Sequence, residues 1–376
     1  MPREAWIIKN ETTTVVETAN VLSFSLSNRR QSYLQTYNAG YLTLTIKNDT
    51  NQSAGFTIND KIGLRTSDGV LAASYWVMEV SYTDTKGSTG AGSTATVVCQ
   101  DAFGRVGRII MENYNIAQGL TGTQFTGLAS VPGYLWNEPS LAAFSTSSTA
   151  SASPTTNGSL LNYINLLINT ERGMIQSAGN NLSFLGRAHI NTLGVPFWSI
   201  GRTAGGTTIA YSGFERINLG LDFMNQVQVQ PAGLDTQSAT NAASVALYGA
   251  NGFTVSTVDA TEVQALGLAN WLANLLADQT KQRFIVEFTD KMQSMSAAFL
   301  ADIAGQTFWA GTYDFTYRVP GAGVDTVVRV ILEGGEISAT PSQTTFRWYL
   351  TPLTYYQFFT LDSATLGILD TSRLGW

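Results

Sequence analysis

The sequence predicts a mainly β protein carrying a helix-containing α+β insert. Three observations point there: segments alternating apolar and polar side chains recur along both halves of the chain, the stretch from Ser244 to Leu276 lays out an ordered set of parts, and charge is scarce. Only 13% of the 376 residues are charged while 44% are hydrophobic, against about a quarter charged in an ordinary soluble protein. With 35 Gly and many Ser, Thr, Asn and Gln, the predicted surface is polar but weakly ionic. The length leaves room for about two or three domains and a sizeable core.

From about residue 13 to 110 the chain reads as strands. VLSFSLS at 21–27 and YLTLTIK at 41–47 each place one side chain in two on a buried face. SYWVMEVSYTD and TATVVCQD flank the Gly-rich KGSTGAGS, which reads as a flexible hairpin tip, and a compact antiparallel barrel or sandwich is the simplest architecture. Gly104 and Gly107 read as a short turn before Arg108. Between Asn115 and Gly158 the period disappears, and FSTSSTASASPTTNGS reads as a loop or linker because its small polar side chains bury too little apolar area. LLNYINLLINTERG then predicts a helix capped by Ser159, with Leu160, Leu161, Ile164, Leu167 and Ile168 on one face and Gly173 ending it. MIQSAGNNLSFLGR follows as a hairpin turning at Gly179-Asn180, completing a small α+β middle domain.

A third, again mainly β, region begins near Phe214 with MNQVQVQ. Within it, SVALYG reads as a strand, Ala250-Asn251-Gly252 as a turn and FTVSTV as a second strand before a capped helix. Thr261 stands three residues before Gln264 in a capping-box arrangement, with Asp259 and Glu262 near the positive end of the helix dipole. Ala265, Leu268, Ala269, Leu272, Leu275 and Leu276 share one face, whereas Asn270, Asn274 and Asp278 point outward. A basic polar face is missing, so this helix reads as core-facing and not as a membrane or partner helix. QRFIVEF, TFWAGTYDFTYRV, TVVRVILEGGEI and TTFRWYLTP continue as strands, and LDSATLGILDTSRLGW reads as an extended tail that docks on something else.

Chemistry is hard to find. A formal charge of −6 and a pI near 4.9 disfavour binding to a phosphate backbone. His189 is the only histidine, which excludes two-imidazole metal sites; beside Arg187 it reads as a strand residue and not a catalytic base. Cys99, the only cysteine, reads as a buried thiol within a strand. No phosphate-binding Gly-Lys-Ser/Thr loop and no Gly-x-Ser-x-Gly elbow is present. Glu333 and Glu336 flank Gly334-Gly335 and read as solvated acids of a turn, not as a glycosidase pair. No catalytic, cofactor-binding or metal-binding residue is therefore assigned; the expectation is a non-enzyme without cofactors. The aromatics, bunched as Phe308-Trp309, Trp348-Tyr349 and Tyr355-Tyr356, read as core or subunit-interface residues, with glycan binding as the alternative and cell-wall hydrolysis third. MPREAWIIKN lacks a signal-peptide core and no stretch of about 18 apolar residues follows, so a soluble protein without membrane anchoring is expected.

Five stretches taken in order carry more than any one of them: LSFSLSNRRQSYLQTYNAGYLTLTIKND at 22–49, VMEVSYT followed by VVCQDAFGRVGR, NLLINTERGMIQSAGNNLSFLGR, SVALYGANGFTVSTV with its helix, and LDSATLGILDTSRLG. This succession resembles the tail hub, or baseplate hub, proteins of tailed bacteriophages, often called minor tail proteins. Where hub proteins often carry a Gly-Asp pair, this chain has Ala301-Asp302-Ile303. The resemblance implies two β-barrel, tube-like domains, at residues 1–112 and 214–352, the second with a helix at 261–278. Between them lies a linker and small α+β domain at 113–213, and after them an extended tail at 353–376. It further implies a structural virion protein of the tail, assembled in the host cytoplasm as a homotrimeric ring. Implied partners are a tail tube or distal tail protein on one side, a spike or fibre on the other, and a tape measure protein. DNA would pass through the lumen without specific binding, which an acidic chain suits.

Overall fold

The first region forms β1 (Trp6–Asn10), β2 (Val15–Val16), β3 (Val21–Arg29), β4 (Tyr41–Lys47), β5 (Lys61–Thr66), β6 (Leu71–Thr83) and β7 (Thr94–Gln100); burial alternates along β1, β4 and β7, whereas β6 is buried on both faces from Ala72 to Val77. These pair antiparallel in the order β3-β4-β7-β6-β5-β1-β2. The computed structural model describes residues 6–356 apart from 17–18, 50–54, 67, 85–91, 135–137, 194–195, 197, 219–221, 279, 293–304, 306–310, 320–322 and 341. The tip of the Gly-rich hairpin, Phe308-Trp309, Ala301-Asp302-Ile303 and the C-terminal LDSATLGILDTSRLGW lie outside the described residues.

The middle of the chain is more ordered than its composition suggests. It contains α1 (Ala102–Gly107), β8 (Ile110–Ile116), β9 (Gly119–Leu120), α2 (Thr121–Gly127), β10 (Ser140–Phe144), β11 (Thr149–Ala150), β12 (Ser153–Ser159), α3 (Leu160–Glu171), β13 (Met174–Ala178), β14 (Asn181–Leu185) and α4 (Arg187–Thr192). The expected turn at Gly104 and Gly107 is instead the helix α1, started by the Asp101 carboxylate accepting from the Gly104 N–H at 3.0 Å. The expected linker is corrected too: its Ser-rich end forms β11 and β12, and β12 pairs antiparallel with β8. Small polar side chains do not oppose this, because β8 satisfies the backbone of β12 while the neighbouring helices supply the apolar burial. α3 follows as expected, although the Ser159 hydroxyl donates to the Gly107 carbonyl and does not cap the helix. β13 and β14 form the expected hairpin around Gly179, which has φ +59. His189 falls in α4 and not in a strand.

The third region runs through β15 (Ser199–Gly201), β16 (Thr208–Ala210), β17 (Gly213–Asn218), β18 (Gln226–Pro231), β19 (Gln237–Thr240), α5 (Ala242–Tyr248), β20 (Gly252–Thr257), α6 (Glu262–Leu275), β21 (Gln282–Thr289), β22 (Thr312–Arg318), β23 (Asp325–Ala339) and β24 (Thr344–Pro352). SVALYG is thus helical, contrary to its strand-like reading. Asn241 caps α5 by accepting from the Ser244 N–H at 2.9 Å, and Ala-Ala-Ser-Val-Ala-Leu has enough intrinsic helix preference to follow. α6 ends at Leu275 and packs on β18 and β19, which with β20 form a three-stranded sheet. Gly267, Trp271 and Ala273 are buried along with the predicted stripe, so α6 leaves only a narrow exposed line through Val263, Leu266, Asn270 and Asn274.

One pairing governs the whole arrangement: β23 lies antiparallel to β3, so the early and late strands join in a single curled 14-stranded sheet. Gly334 makes the join possible, because a Cβ there would meet the carbonyl oxygens of Arg30 at 2.4 Å and Asn28 at 2.7 Å. Three apolar cores result. One fills the large sheet, one lies among α1, α2, α3, β13 and β14, and one lies under α6, where Tyr33, Met174, Leu185, Tyr355 and Tyr356 arrive from all three regions.

Candidate functional site

The chemically richest place among the described residues is this three-way junction. Glu333 sits at the register shift of β23 opposite β24, between Leu332 and Gly334, and the extra residue turns its carboxylate inward. It is 0% exposed, which overturns its reading as a solvated turn acid. Its Oε2 accepts from Arg30 Nε at 2.8 Å and its Oε1 from the Tyr356 hydroxyl at 2.6 Å, while Arg30 Nη2 donates to that same hydroxyl at 2.7 Å. Burial acts most strongly, against the charged guanidinium, but Glu333 with Tyr356 and Tyr37 together outweigh it and hold Arg30 well above the usual arginine range. The Arg30 guanidinium also stacks over the rings of Tyr33, at 5.6 Å, and Tyr37, at 5.0 Å. Glu336 points the other way, accepting from the Tyr349 hydroxyl at 2.5 Å. The two acids are therefore not a catalytic pair.

The C-terminal turn of α3 supplies the second half of the junction, one residue at a time. Asn169 donates to the Ser256 carbonyl at 3.1 Å, and the Thr170 hydroxyl accepts from the Val258 N–H at 2.9 Å. Glu171 accepts from the Thr121 hydroxyl at 2.9 Å and from the N–H groups of Ser147 and Ser148. Arg172, in the left-handed region at φ 53, ends the helix, where Gly173 was expected to do so. Arg172 and Arg187 are both buried, and burial lowers the pKa of each. Arg187 lies over the Trp271 ring at 5.0 Å. Asp259, accepting from the Thr257 hydroxyl at 2.6 Å, is pushed up to about 6 by burial. Tyr33 meets Trp271, Tyr355 and Tyr356 edge-on.

Nothing in this arrangement forms a nucleophile, a general acid beside a cleft, or a metal cage. Among the described residues no group of three or more His, Cys, Asp or Glu is placed to hold a metal ion. His189 packs against Phe144 at 5.5 Å, and Cys99 is buried, its thiol pushed up by desolvation. Trp348, Tyr355 and Tyr356 are core residues. Sequence reasoning passed over Arg30, Tyr33, Glu171 and Arg172 as chemistry, although all four lie in the quoted motifs; the available signal was a Glu-Arg-Gly run at the end of an apolar helix.

Two surface features lie outside the junction. Across β3, β23, β24 and β21 runs an open groove of about 390 Å³ lined by Ser25, Ser27, Glu287, Glu336, Thr345 and Arg347 among others, where Arg347 lies 3.5 Å from Glu215 and 3.6 Å from Glu287. A second groove of about 200 Å³ lies between β8 and α2, lined by uncharged residues including Tyr114, Asn115, Gln118, Thr123 and Ser130.

No protein-family model and no curated protein sequence matches the chain. Solved structures do. A tail protein from Neisseria meningitidis MC58 superposes with a TM-score of 0.62 at 10% identity, covering 93% of this chain and 96% of that one. The 43 kDa tail protein of prophage MuSo2 from Shewanella oneidensis gives 0.60 at 9% identity, covering 94% and 99%. The chain has the fold of phage tail proteins. An E. coli component of the type VI secretion system, described as structurally similar to the T4 bacteriophage tail proteins gp27 and gp5, shares this tail-protein fold at a TM-score of 0.50 and 8% identity, covering 89% and 73%. Both tail-protein superpositions take in more than nine-tenths of this chain and of the protein compared.

Proposed function

We propose that this chain is a structural tail hub, three copies of which close into a ring that joins the tail tube to a distal spike or fibre and passes DNA through its lumen. The observation that carries the reading is superposition on phage tail proteins over more than nine-tenths of the chain. Residues 1–112 and 214–352 act as the two tube-like units of each subunit, separated by the 113–213 segment. Among the described residues strand β17 pairs only with β21, so its other edge would offer backbone donors and acceptors to a neighbouring copy. A lumen formed by the grooved face would present Glu215, Glu287 and Glu336 around Arg347, together with Ser and Thr hydroxyls, and such a surface does not retain a phosphate backbone. The role is architectural and not catalytic. Negative-stain microscopy and light scattering of the purified protein are expected to show closed rings of three copies. A species that stays monomeric with its tail-tube partner present would overturn the proposal.

The uncharged groove between β8 and α2 favours a second reading, a neutral glycan held by Tyr114 and the side-chain amides of Asn115 and Gln118. A glycan array on which the protein binds no sugar removes that reading and leaves the hub untouched.

A further inference from the structure

From Thr236 to Val258 the sequence carries no charged side chain, and this run includes α5. α5 is almost wholly uncovered: Ser244 is its one buried residue, Leu247 is 74% and Tyr248 49% exposed, and Ala242, Ala243 and Ala246 are exposed beside them. The outer line of α6 continues this surface. Val263 is 72% and Leu266 40% exposed, and the Asn270 and Asn274 amides each donate to the carbonyl four residues earlier. Asn241, at the start of α5, then donates to Asn274 Oδ1 at 3.0 Å. Exposed apolar side chains gathered on one such surface mark a contact site.

The chain itself brings an occupant to this place. Tyr355 lies at the C-terminal end of α6: its hydroxyl donates to the Gln282 carbonyl at 3.3 Å, and its ring lies 5.3 Å from the Lys281 ammonium, which donates to the Leu275 carbonyl. α5 is fastened to the same end. The Ser244 hydroxyl donates to the Ala277 carbonyl at 2.9 Å, and the Tyr248 ring meets Phe223, whose neighbour Met224 donates its N–H to the Leu276 carbonyl. The segment from Gln357 to Trp376 begins two residues after Tyr355, where the uncovered helices meet. It opens with Phe358-Phe359, carries Leu361, Leu366, Ile368 and Leu369, and has Asp362, Asp370 and Arg373 as its charged side chains. About 3.3 Å per extended residue lets fewer than ten residues follow the roughly 21 Å of α6. Attachment to the same chain also holds the segment at roughly millimolar effective concentration, an advantage over any separate protein.

We propose that residues 357–376 fold back along α5 and α6 of their own chain and lay their apolar side chains over Leu247, Tyr248, Val263 and Leu266. The docked segment takes from water a surface that would otherwise join copies without order, and it ties the chain beyond β24 to the helix over the junction core. The contact is internal to one subunit, so it stands whether or not the chain assembles into rings.

Cys99 is buried, so in the full-length Leu247→Cys variant a benzophenone maleimide labels the introduced thiol alone. Illumination is expected to join that label to peptides of 357–376 in a species of single-chain mass on a denaturing gel. Adducts of double-chain mass would give the surface to a second copy, and single-chain adducts that avoid 357–376 would give it to another part of the chain; either result overturns the proposal. Hydrogen exchange on the full chain supplies an independent reading. Leu266→Asp alters an exposed side chain and is expected to speed exchange of the 357–376 amides about tenfold, the equivalent of one lost leucine contact, while β18 and β20 keep their original rates. Unaltered rates in 357–376 overturn the proposal equally.

Discussion

Glu333 owes its role to a single extra residue. Without the register shift beside Gly334, strand alternation would send the side chain after Leu332 to the opposite face, and Arg30 would be buried without a counter-charge. Replacing Glu333 with Ala leaves that guanidinium unpaired and is expected to cost about 3–5 kcal/mol in denaturant unfolding. Asp101 tests a different balance. Burial pushes its carboxyl up to about 7 even though it accepts from the Gly104 N–H, so the folded state holds a proton that the unfolded chain releases at lower pH. A folded-state pKa above the unfolded value gives stability that is full below about pH 4 and is lost as pH rises towards 7. Thermal unfolding across pH 4–7 is expected to show this decline, and Asp101→Asn, which keeps an acceptor for Gly104, is expected to flatten it in part. Asp259, whose carboxyl is raised to about 6, and Asp222, also raised by burial, contribute slope of the same sign.

Among the elements, those with a long period were legible and those made by pairing were not. α3, α6, β3 and β4 declare themselves because burial on one face repeats along each of them. α5 was misread because a short run such as SVALYG fits a strand or a helix equally, and the Asn241 cap decided between them. β12 escaped because its stability comes from β8, about forty residues earlier, and not from its own side chains. The junction was invisible for a related reason: which charges become buried depends on where three regions meet. At α6 only half of the expected capping box forms, since Thr261 accepts from the Gln264 N–H at 3.3 Å while the buried Gln264 Oε1 makes no hydrogen bond. Thr261→Ala is therefore expected to cost about 1 kcal/mol, the lower part of the range for a lost cap plus little else. Gly334→Ala strikes harder, because two carbonyl oxygens of the β3 end must move and the β3–β23 pairing moves with them. Its expected signature is a broadened, lower unfolding transition, measured by calorimetry.

On the scale of the whole molecule, scarce charge and a curled sheet whose outer strands pair on one side only among the described residues suit the proposed ring subunit. For the proposed ring, the purified protein is expected to show no salt-dependent retention on immobilised duplex DNA, and strong retention relieved by salt would contradict the proposed non-binding lumen. The pairing of β3 with β23 has a further consequence for synthesis. Arg30 and Glu333 are 303 positions apart, so a ribosome must deliver nearly the entire chain before the early strands find their late partner. Until then β3 exposes a backbone edge inside a cell crowded with identical nascent chains. Completion of the polypeptide thus acts as the timer of folding, and chains cut short before Asp325 are expected to collect as aggregates while full-length chains stay dispersed.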